Sequence, residues 1–253
     1  MVHNDQFDNL VDFSSYHLGN YRLVRSLGHG GFASVYLGEH LYLQRLAAIK
    51  VLHRALAEEE LTRFLEEARL LARLSHPHIV RVLEFAVAQR WKTIQSRKVK
   101  ERLPFLVMDY APGGNLRSLY PAGTRLALDV VITQIKQVAS ALQYAHECNI
   151  IHRDIKPEML LMNLQLEVLL SDFGLALFTP TPDLLSLQGM AGTLAYTAPE
   201  QLQGKPSFAS DQYSLAIIAY EWLCGSRPFV VGGIELIMHH ISSPPPRLRS
   251  KTP

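Results

Sequence analysis

The spacing of apolar residues changes partway along this chain, and that change decides the fold class. From Tyr21 to Leu52 they fall into short strand-like runs, Tyr21 to Leu27, Val35 to Gly38 and Ala47 to Leu52, broken by glycines at Gly28, Gly30 and Gly31 and by a turn. Over residues 59–74 the period lengthens. Leu61, Phe64, Leu65, Ala68, Leu71, Ala72 and Leu74 recur every three or four positions, which predicts an amphipathic helix. Ile79 to Phe85 and Pro104 to Tyr110 return to the strand pattern, so the first part reads as an antiparallel sheet carrying one main helix. After Pro112-Gly113-Gly114 the chain turns helical. The stripe Val131, Ile135, Val138, Leu142 and Ala145 predicts a long helix over Leu128 to Glu147. Gln212 to Leu223 is apolar almost all the way round and predicts a helix inside a core. A sheet-rich first half and a helix-rich second half imply an α+β fold of two lobes, joined near Asp109 to Gly114.

Composition narrows the functional classes. A chain of 253 residues with 25 Lys and Arg against 23 Asp and Glu has a net charge of +2, too small for a general nucleic-acid binder. Cys148 and Cys224 are the two cysteines; they form no CxxC pair, which argues against a disulfide framework or a four-cysteine zinc site and suits a reducing, cytoplasmic compartment. Residues 1–20 read as a polar leader and lack the basic-then-apolar order of a signal peptide. The most apolar stretch, Leu215 to Leu223, is too short for a membrane span and contains Glu221. Six basic residues, Arg90, Lys92, Arg97, Lys98, Lys100 and Arg102, lie between two predicted strands, where a solvated hairpin loop is expected and a docking patch is the other reading.

Four clusters carry chemistry. Gly28-His29-Gly30-Gly31-Phe32-Ala33-Ser34-Val35 lies between two strands, a context that argues against a dinucleotide fingerprint. Glycines there let backbone N–H groups approach phosphate oxygens, although a plain turn uses the same residue. Lys50 lies in an apolar strand and Glu67 on the apolar stripe of the next helix. Pairing resolves the cost of burying both charges; a snorkelling lysine beside an edge glutamate resolves it equally well. The third and fourth clusters are Ile150-Ile151-His152-Arg153-Asp154-Ile155-Lys156-Pro157-Glu158-Met159 and Leu169-Leu170-Ser171-Asp172-Phe173-Gly174. Each places an Asp in a polar turn directly after an apolar run.

Taken in this order, with Ala198-Pro199-Glu200 downstream and Asp211 at the start of the buried helix, these clusters resemble the eukaryotic-like protein kinases, in the style of bacterial Ser/Thr kinases. The resemblance implies a bilobal fold: an N-lobe over residues 21–110 and a mostly helical C-lobe over residues 111–253 that stops before the family's last helices. It implies ATP and Mg²⁺ as cofactors and a protein Ser or Thr hydroxyl as acceptor. By position, Lys50 would hold the α- and β-phosphates, Glu67 would orient Lys50, and the loop from Gly28 through Gly30, Gly31, Phe32 and Ala33 would cover them. Asp154 would accept the hydroxyl proton, Lys156 would neutralise the transferring group, and Asp172 would bind the metal. Adenine would lie between Val35, Ala48 and Leu161 and bond the backbone of Asp109 and Ala111, with Met108 as gatekeeper. A stack of Leu71, Val82, His152 and Phe173 anchored by Asp211 follows from the same matching. Arg153 is similar to the pattern of kinases switched on by phosphorylation, for which Thr179, Thr181 and Ser186 are candidate acceptors.

Three departures qualify the match. Met159 stands where the family has a metal-binding Asn, and thirteen residues from Met159 to Asp172 keep the register. A thioether is a poor ligand for hard Mg²⁺, so a nucleotide-binding pseudokinase acting as a scaffold is the alternative reading. Ala33 replaces the third glycine. The arginine that pairs with Glu200 in the family would lie past Pro253, which predicts that Glu200 is an unpaired carboxylate and that the C-lobe exposes apolar surface.

Overall fold

The computed structural model describes residues 16–31, 33–53, 56–94, 97–173 and 194–248. The chain divides into two compact units, Met1–Ala72 with Arg81–Tyr110, and Arg73–Val80 with Ala111–Pro253.

The first unit is a six-stranded antiparallel sheet with one helix. Its strands are β1 (His17–Leu18), β2 (Tyr21–His29), β3 (Ala33–His40), β4 (Leu46–Leu52), β5 (Val82–Ile94) and β6 (Arg97–Asp109), in the order β1-β2-β3-β4-β6-β5. Residues 17 and 18 therefore belong to the sheet rather than to a structureless leader, with Leu18 opposite Tyr21. One face packs a core of Tyr21, Leu23, Ala47, Ile49, Phe105 and Val107. Gly38 is part of that fit, because a Cβ there would fall 2.3 Å from Ile49 Cδ1.

The helix α1 (Glu58–Leu71) begins on three glutamates, favourable at the positive end of the helix dipole, and Glu60 accepts the Ala57 N–H at 3.0 Å. It buries Leu61, Phe64, Ala68 and Leu71, as the periodicity predicts, and Phe64 meets Phe85 of β5 at 5.2 Å between ring centres.

The basic stretch is not a loop. β5 and β6 stay paired from Val82↔Met108 to Ile94↔Arg97, so the strands run on through it. Alternation of charge with Trp91, Thr93 and Val99 gives those residues strand character that a count of charges hides. Ile79, expected at the start of that strand, instead bridges Leu170 in the second unit.

The second unit is built on α3 (Leu128–Glu147), which follows a short α2 (Leu116–Leu119), and on α5 (Phe208–Cys224), which follows a short α4 (Pro199–Leu202). α3 packs against α5. α3 buries Val131, Val138, Ala141, Leu142 and Ala145, and α5 buries residues on every side, including Leu215, Ile218 and Trp222. A last helix α6 (Gly233–Ser242) leaves Ile234, Met238 and Ile241 exposed. A small ladder of β7 (Leu160–Met162) and β8 (Val168–Leu170) joins the unit, and Gly113 donates to Met162 O at 2.9 Å. Among the described residues no helix is long and apolar enough to cross a membrane.

At Gly113 an added Cβ would lie 2.6 Å from the Met162 carbonyl oxygen, a backbone atom that cannot swing aside. Gly113→Ala is therefore expected to destabilise the second unit by about 1–3 kcal/mol, the usual cost of overpacking, measured as a lower midpoint of urea unfolding.

Candidate active site

In the first unit the strand register sorts residues by face. Ala48 and Lys50 are two apart on β4 and share a face; Val35 on β3 and Leu106 on β6 lie opposite Lys50, and Met108 lies opposite Ala48. The face bearing Ile49 and Val107 is the packed core, so Val35, Ala48, Lys50 and Met108 are gathered on the other one. Lys50 is half-buried there. Glu67 lies in α1 between buried Phe64 and Leu71, while its side chain falls outside the described residues, so the expected Lys50–Glu67 pair is not described. Asp109 donates its N–H to Arg81 O at 3.0 Å.

The turn joining β2 and β3 is closed by Gly30 N–H to Ala33 O at 2.9 Å. Its glycines are not required by backbone geometry. None of Gly28, Gly30 and Gly31 has a positive φ, and among the described residues an added Cβ would meet nothing within 4 Å at Gly28 or Gly31 and only Ala33 O at 3.5 Å for Gly30. Phe32 falls outside the described residues.

In the second unit the loop after α3 is held by one carboxylate. Asp211, 1% exposed in the first turn of α5, accepts the N–H of His152 at 2.9 Å, the N–H of Arg153 at 2.8 Å and the ring of His146 at 2.8 Å. Those bonds hold Arg153 at φ +70°, and Asp172 stands at φ +64°; each left-handed non-glycine residue costs about 1–3 kcal/mol. His152 is fully buried and joins the two strained segments. Its Nε2 donates to Ser171 O at 2.7 Å, its Nδ1 accepts the Asp154 N–H at 3.3 Å, and its ring meets Phe173 edge-on at 4.7 Å. Those contacts fix a neutral Nε2–H tautomer. Ser171 N–H and Oγ both donate to Met159 O at 2.9 Å.

This frame brings Asp154, Lys156 and Asp172 together. Lys156 Nζ lies 2.9 Å from Asp154 Oδ2. Burial raises the Asp154 carboxyl above the usual range; the Lys156 ammonium opposes the rise, and the nearby Asp172 charge adds to it. The group sits in a recess open on one side, with 30% of its side chain still reaching solvent. Half-buried Leu161 pairs with Leu169 and bridges Asn115, and Ala111 is buried. Half-buried Met159 has no side-chain oxygen, and its carbonyl already accepts from Ser171. Arg153 Nε is buried without a hydrogen-bond partner among the described residues, while Arg153 O accepts Gln201 Nε2 at 2.6 Å. Gly174, Thr179, Thr181 and Ser186 lie outside the described residues.

Two features were not anticipated. Glu200, expected to be a carboxylate without its family arginine, accepts the Ser210 hydroxyl of α5 at 2.5 Å. Arg117 on α2 forks onto Glu221 of α5 at 2.9 and 3.2 Å, reaches Glu158 at 3.1 Å and donates to Tyr196, whose hydroxyl donates to Glu221 at 2.5 Å. Burial works against the Arg117 charge, but Glu221 and Tyr196 outweigh it; burial and then Glu221 push the Tyr196 phenol above its usual range. A carboxylate inside the apolar run at 215–223 was the sequence signal, since such a group must find a partner.

Because its folded value is raised, ionised Asp154 costs the fold stability. Its favourable contribution is complete below the ordinary Asp range and is lost as pH rises through the raised value. Asp154→Asn, which never ionises, is expected to melt higher than the parent near neutral pH, with the gap closing as pH falls towards about 3.9. Melting curves across that window check it.

Residues 21–244 match the protein kinase domain family. Serine/threonine-protein kinase PknA of Mycobacterium tuberculosis is 35% identical over 239 residues, covering 93% of this chain and 54% of that protein. PknJ of the same species is 37% identical over 243 residues (92% and 39%), and Pkn1 of Myxococcus xanthus 36% over 240 (90% and 32%). The chain thus spans about half the length of PknA and less of the other two.

Proposed function

The chain belongs to the protein kinase family, and we propose that it transfers the γ-phosphoryl group of ATP to Ser or Thr hydroxyls of proteins. The observation that carries this reading is Asp154 held beside Lys156 and near Asp172 on a loop that Asp211 and His152 fix in a strained shape. Such a loop suits a reaction in which the protein supplies position and charge more than covalent chemistry.

Asp154 accepts the proton of the attacking hydroxyl. Its recess favours the neutral form, which raises its basicity as a proton acceptor. Lys156, 2.9 Å away, opposes that preference and faces the negative charge of the group in transit. Lys50 holds phosphate oxygens, and Glu67 orients Lys50. The turn carrying Gly28, Gly30 and Gly31 covers the phosphates, its Gly30 amide already given to Ala33 O, which accounts for three glycines that the turn itself does not need. Val35, Ala48 and Leu161 take the adenine faces, Met108 limits the depth of entry, and the Asp109 carbonyl and Ala111 backbone bond its edge.

The donor set fits Mg²⁺ in part. Asp172 offers hard carboxylate oxygens, and Met159 does not, so Asp172 is the residue that holds the metal. When bound, Mg²⁺ neutralises phosphate charge. Arg153, with a buried Nε lacking a partner among the described residues, suits an anion such as a phosphate on Thr179, Thr181 or Ser186. Free Cys148 and Cys224 suit a reducing, cytoplasmic setting.

Incubation of the purified chain with γ-labelled ATP and Mg²⁺ is expected to give labelled phosphoserine or phosphothreonine, and Asp154→Asn to cut the rate by about 10²–10⁴-fold. Met159→Asn is expected to lower the Mg²⁺ concentration needed. A folded preparation that incorporates no label, yet is stabilised by ATP equally with and without Mg²⁺, would overturn transfer in favour of the scaffold that Met159 suggests.

A further inference from the structure

The two longest strands run on past the sheet that carries them. β4 pairs with β6 from Asp109 to Phe105 and stops there, whereas β5 and β6 stay paired as far as Ile94↔Arg97. From the pair Ala86↔Phe105 outwards they form a two-stranded ribbon roughly 27 Å long, at about 3.4 Å per residue. Among the described residues no strand lies along the outer edge of β6 beyond Phe105.

Positive charge is concentrated on this ribbon. Residues 89–102 hold six basic residues and one acidic, a net +5 in a chain of net +2. The rest of the chain is therefore net −3, and attraction for an anion resides in the ribbon rather than in the chain as a whole. Two of the six cations have an acidic partner: Arg90 stands opposite Glu101, and Arg102 donates to Glu58 Oε1 at 2.5 Å. The other four stand opposite neutral residues, Lys92 opposite Val99, Arg97 opposite Ile94, Lys98 opposite Thr93 and Lys100 opposite Trp91. Alternation sorts these positions by face. Lys98, Lys100 and Arg102 share one face of β6 at intervals of roughly 6.8 Å, and Glu101 belongs to the reverse.

We propose that the outer edge of β6 over Arg97–Arg102 is a docking edge for an acidic, extended segment of another protein. A strand edge presents N–H donors and C=O acceptors in turn, and a polypeptide answers both; the phosphates of a nucleic acid or a lipid only accept. Side chains on one face of an added strand recur at the same two-residue interval. Asp or Glu at every second position therefore stands opposite Lys98, Lys100 and Arg102, the arrangement that favours cross-strand pairs of opposite charge. Charged edges also keep sheets from pairing with their own kind, and here the two roles agree. A row of one sign turns away a second copy of this edge and admits a strand of the other sign.

The test uses the full chain without nucleotide, so its result does not depend on phosphoryl transfer. A short fluorescein-labelled peptide alternating Glu and Thr is expected to bind saturably, read as a rise in fluorescence anisotropy, and to bind more weakly as NaCl is raised. The Lys98→Gln, Lys100→Gln double variant should weaken binding by about tenfold, the loss of two cross-strand charge pairs. The same peptide with its amides N-methylated keeps the charge and loses the donors, and it too should bind about tenfold more weakly. On the unmutated chain, unlabelled peptide should shift the NMR signals of the backbone amides of residues 97–102 and leave those of His17 and Leu18, at the opposite edge of the sheet, in place. That measurement decides the matter if the variant misfolds. No binding, binding unchanged in the double variant, equal binding of the N-methylated peptide, shifts confined to other strands, or tighter binding of duplex DNA or phosphatidylserine vesicles that displaces the peptide overturns the proposal.

Discussion

The geometry of the second unit depends on a single buried carboxylate. Asp211 accepts two consecutive backbone N–H groups and a histidine ring, and no other partner for those donors is supplied by the helix ladder or the small β7–β8 sheet. Leaving a buried donor unmet costs about 1–3 kcal/mol, comparable with the backbone strain at Arg153, so the carboxylate and the strain balance each other. The consequence travels through His152. With its backbone fixed by Asp211, its neutral ring has one orientation, which sets Ser171 and Phe173 on one side and the Asp154 amide on the other. Asp154 and Asp172 are thus placed by hydrogen bonds to neighbours that do no chemistry themselves.

Ion pairs inside the same unit follow a different logic. Arg117, Glu221, Tyr196 and Glu158 come from four separate segments, and every strong donor or acceptor in the set has a partner. A buried pair of this kind returns little net stability compared with apolar residues of equal volume, but losing one member leaves a charge stranded. The network therefore fixes which segments meet. It holds Tyr196, just ahead of α4, and Glu158, just after the Asp154 loop, to one guanidinium, and so sets the spacing of the two ends of the stretch between them.

Much of this was legible in the sequence because secondary structure here follows hydrophobic period. The helix expected over Leu128 to Glu147 has those bounds, and the helix expected inside the core is buried on every side. The motifs also carried their order, so Asp154, Lys156 and Asp172 were named before any distance was known. What stayed hidden was long-range pairing. Arg117 and Glu221 are 104 residues apart, and nothing local marks Arg117 as more than a surface cation on a short helix. The contact of Ser210 with Glu200 has no local signal either, because a serine ten residues along the chain is not marked as a partner for a carboxylate. The β5–β6 hairpin was misjudged because its charges were counted and the strand-forming residues between them were not.

The turn between β2 and β3 shows how one strand register can separate two kinds of surroundings. Side chains alternate across a sheet, so Val35 and Lys50 must lie on one face and Ser34 and His53 on the other. On the first face the turn is kept bare, with glycines whose smallness the backbone does not require. On the second it is densely tied, Ser26 to His29 to Ser34 to His53, across three strands. With the small residues on one side and the hydrogen-bond chain on the other, the turn is open on the face of Val35 and Lys50 and braced from behind.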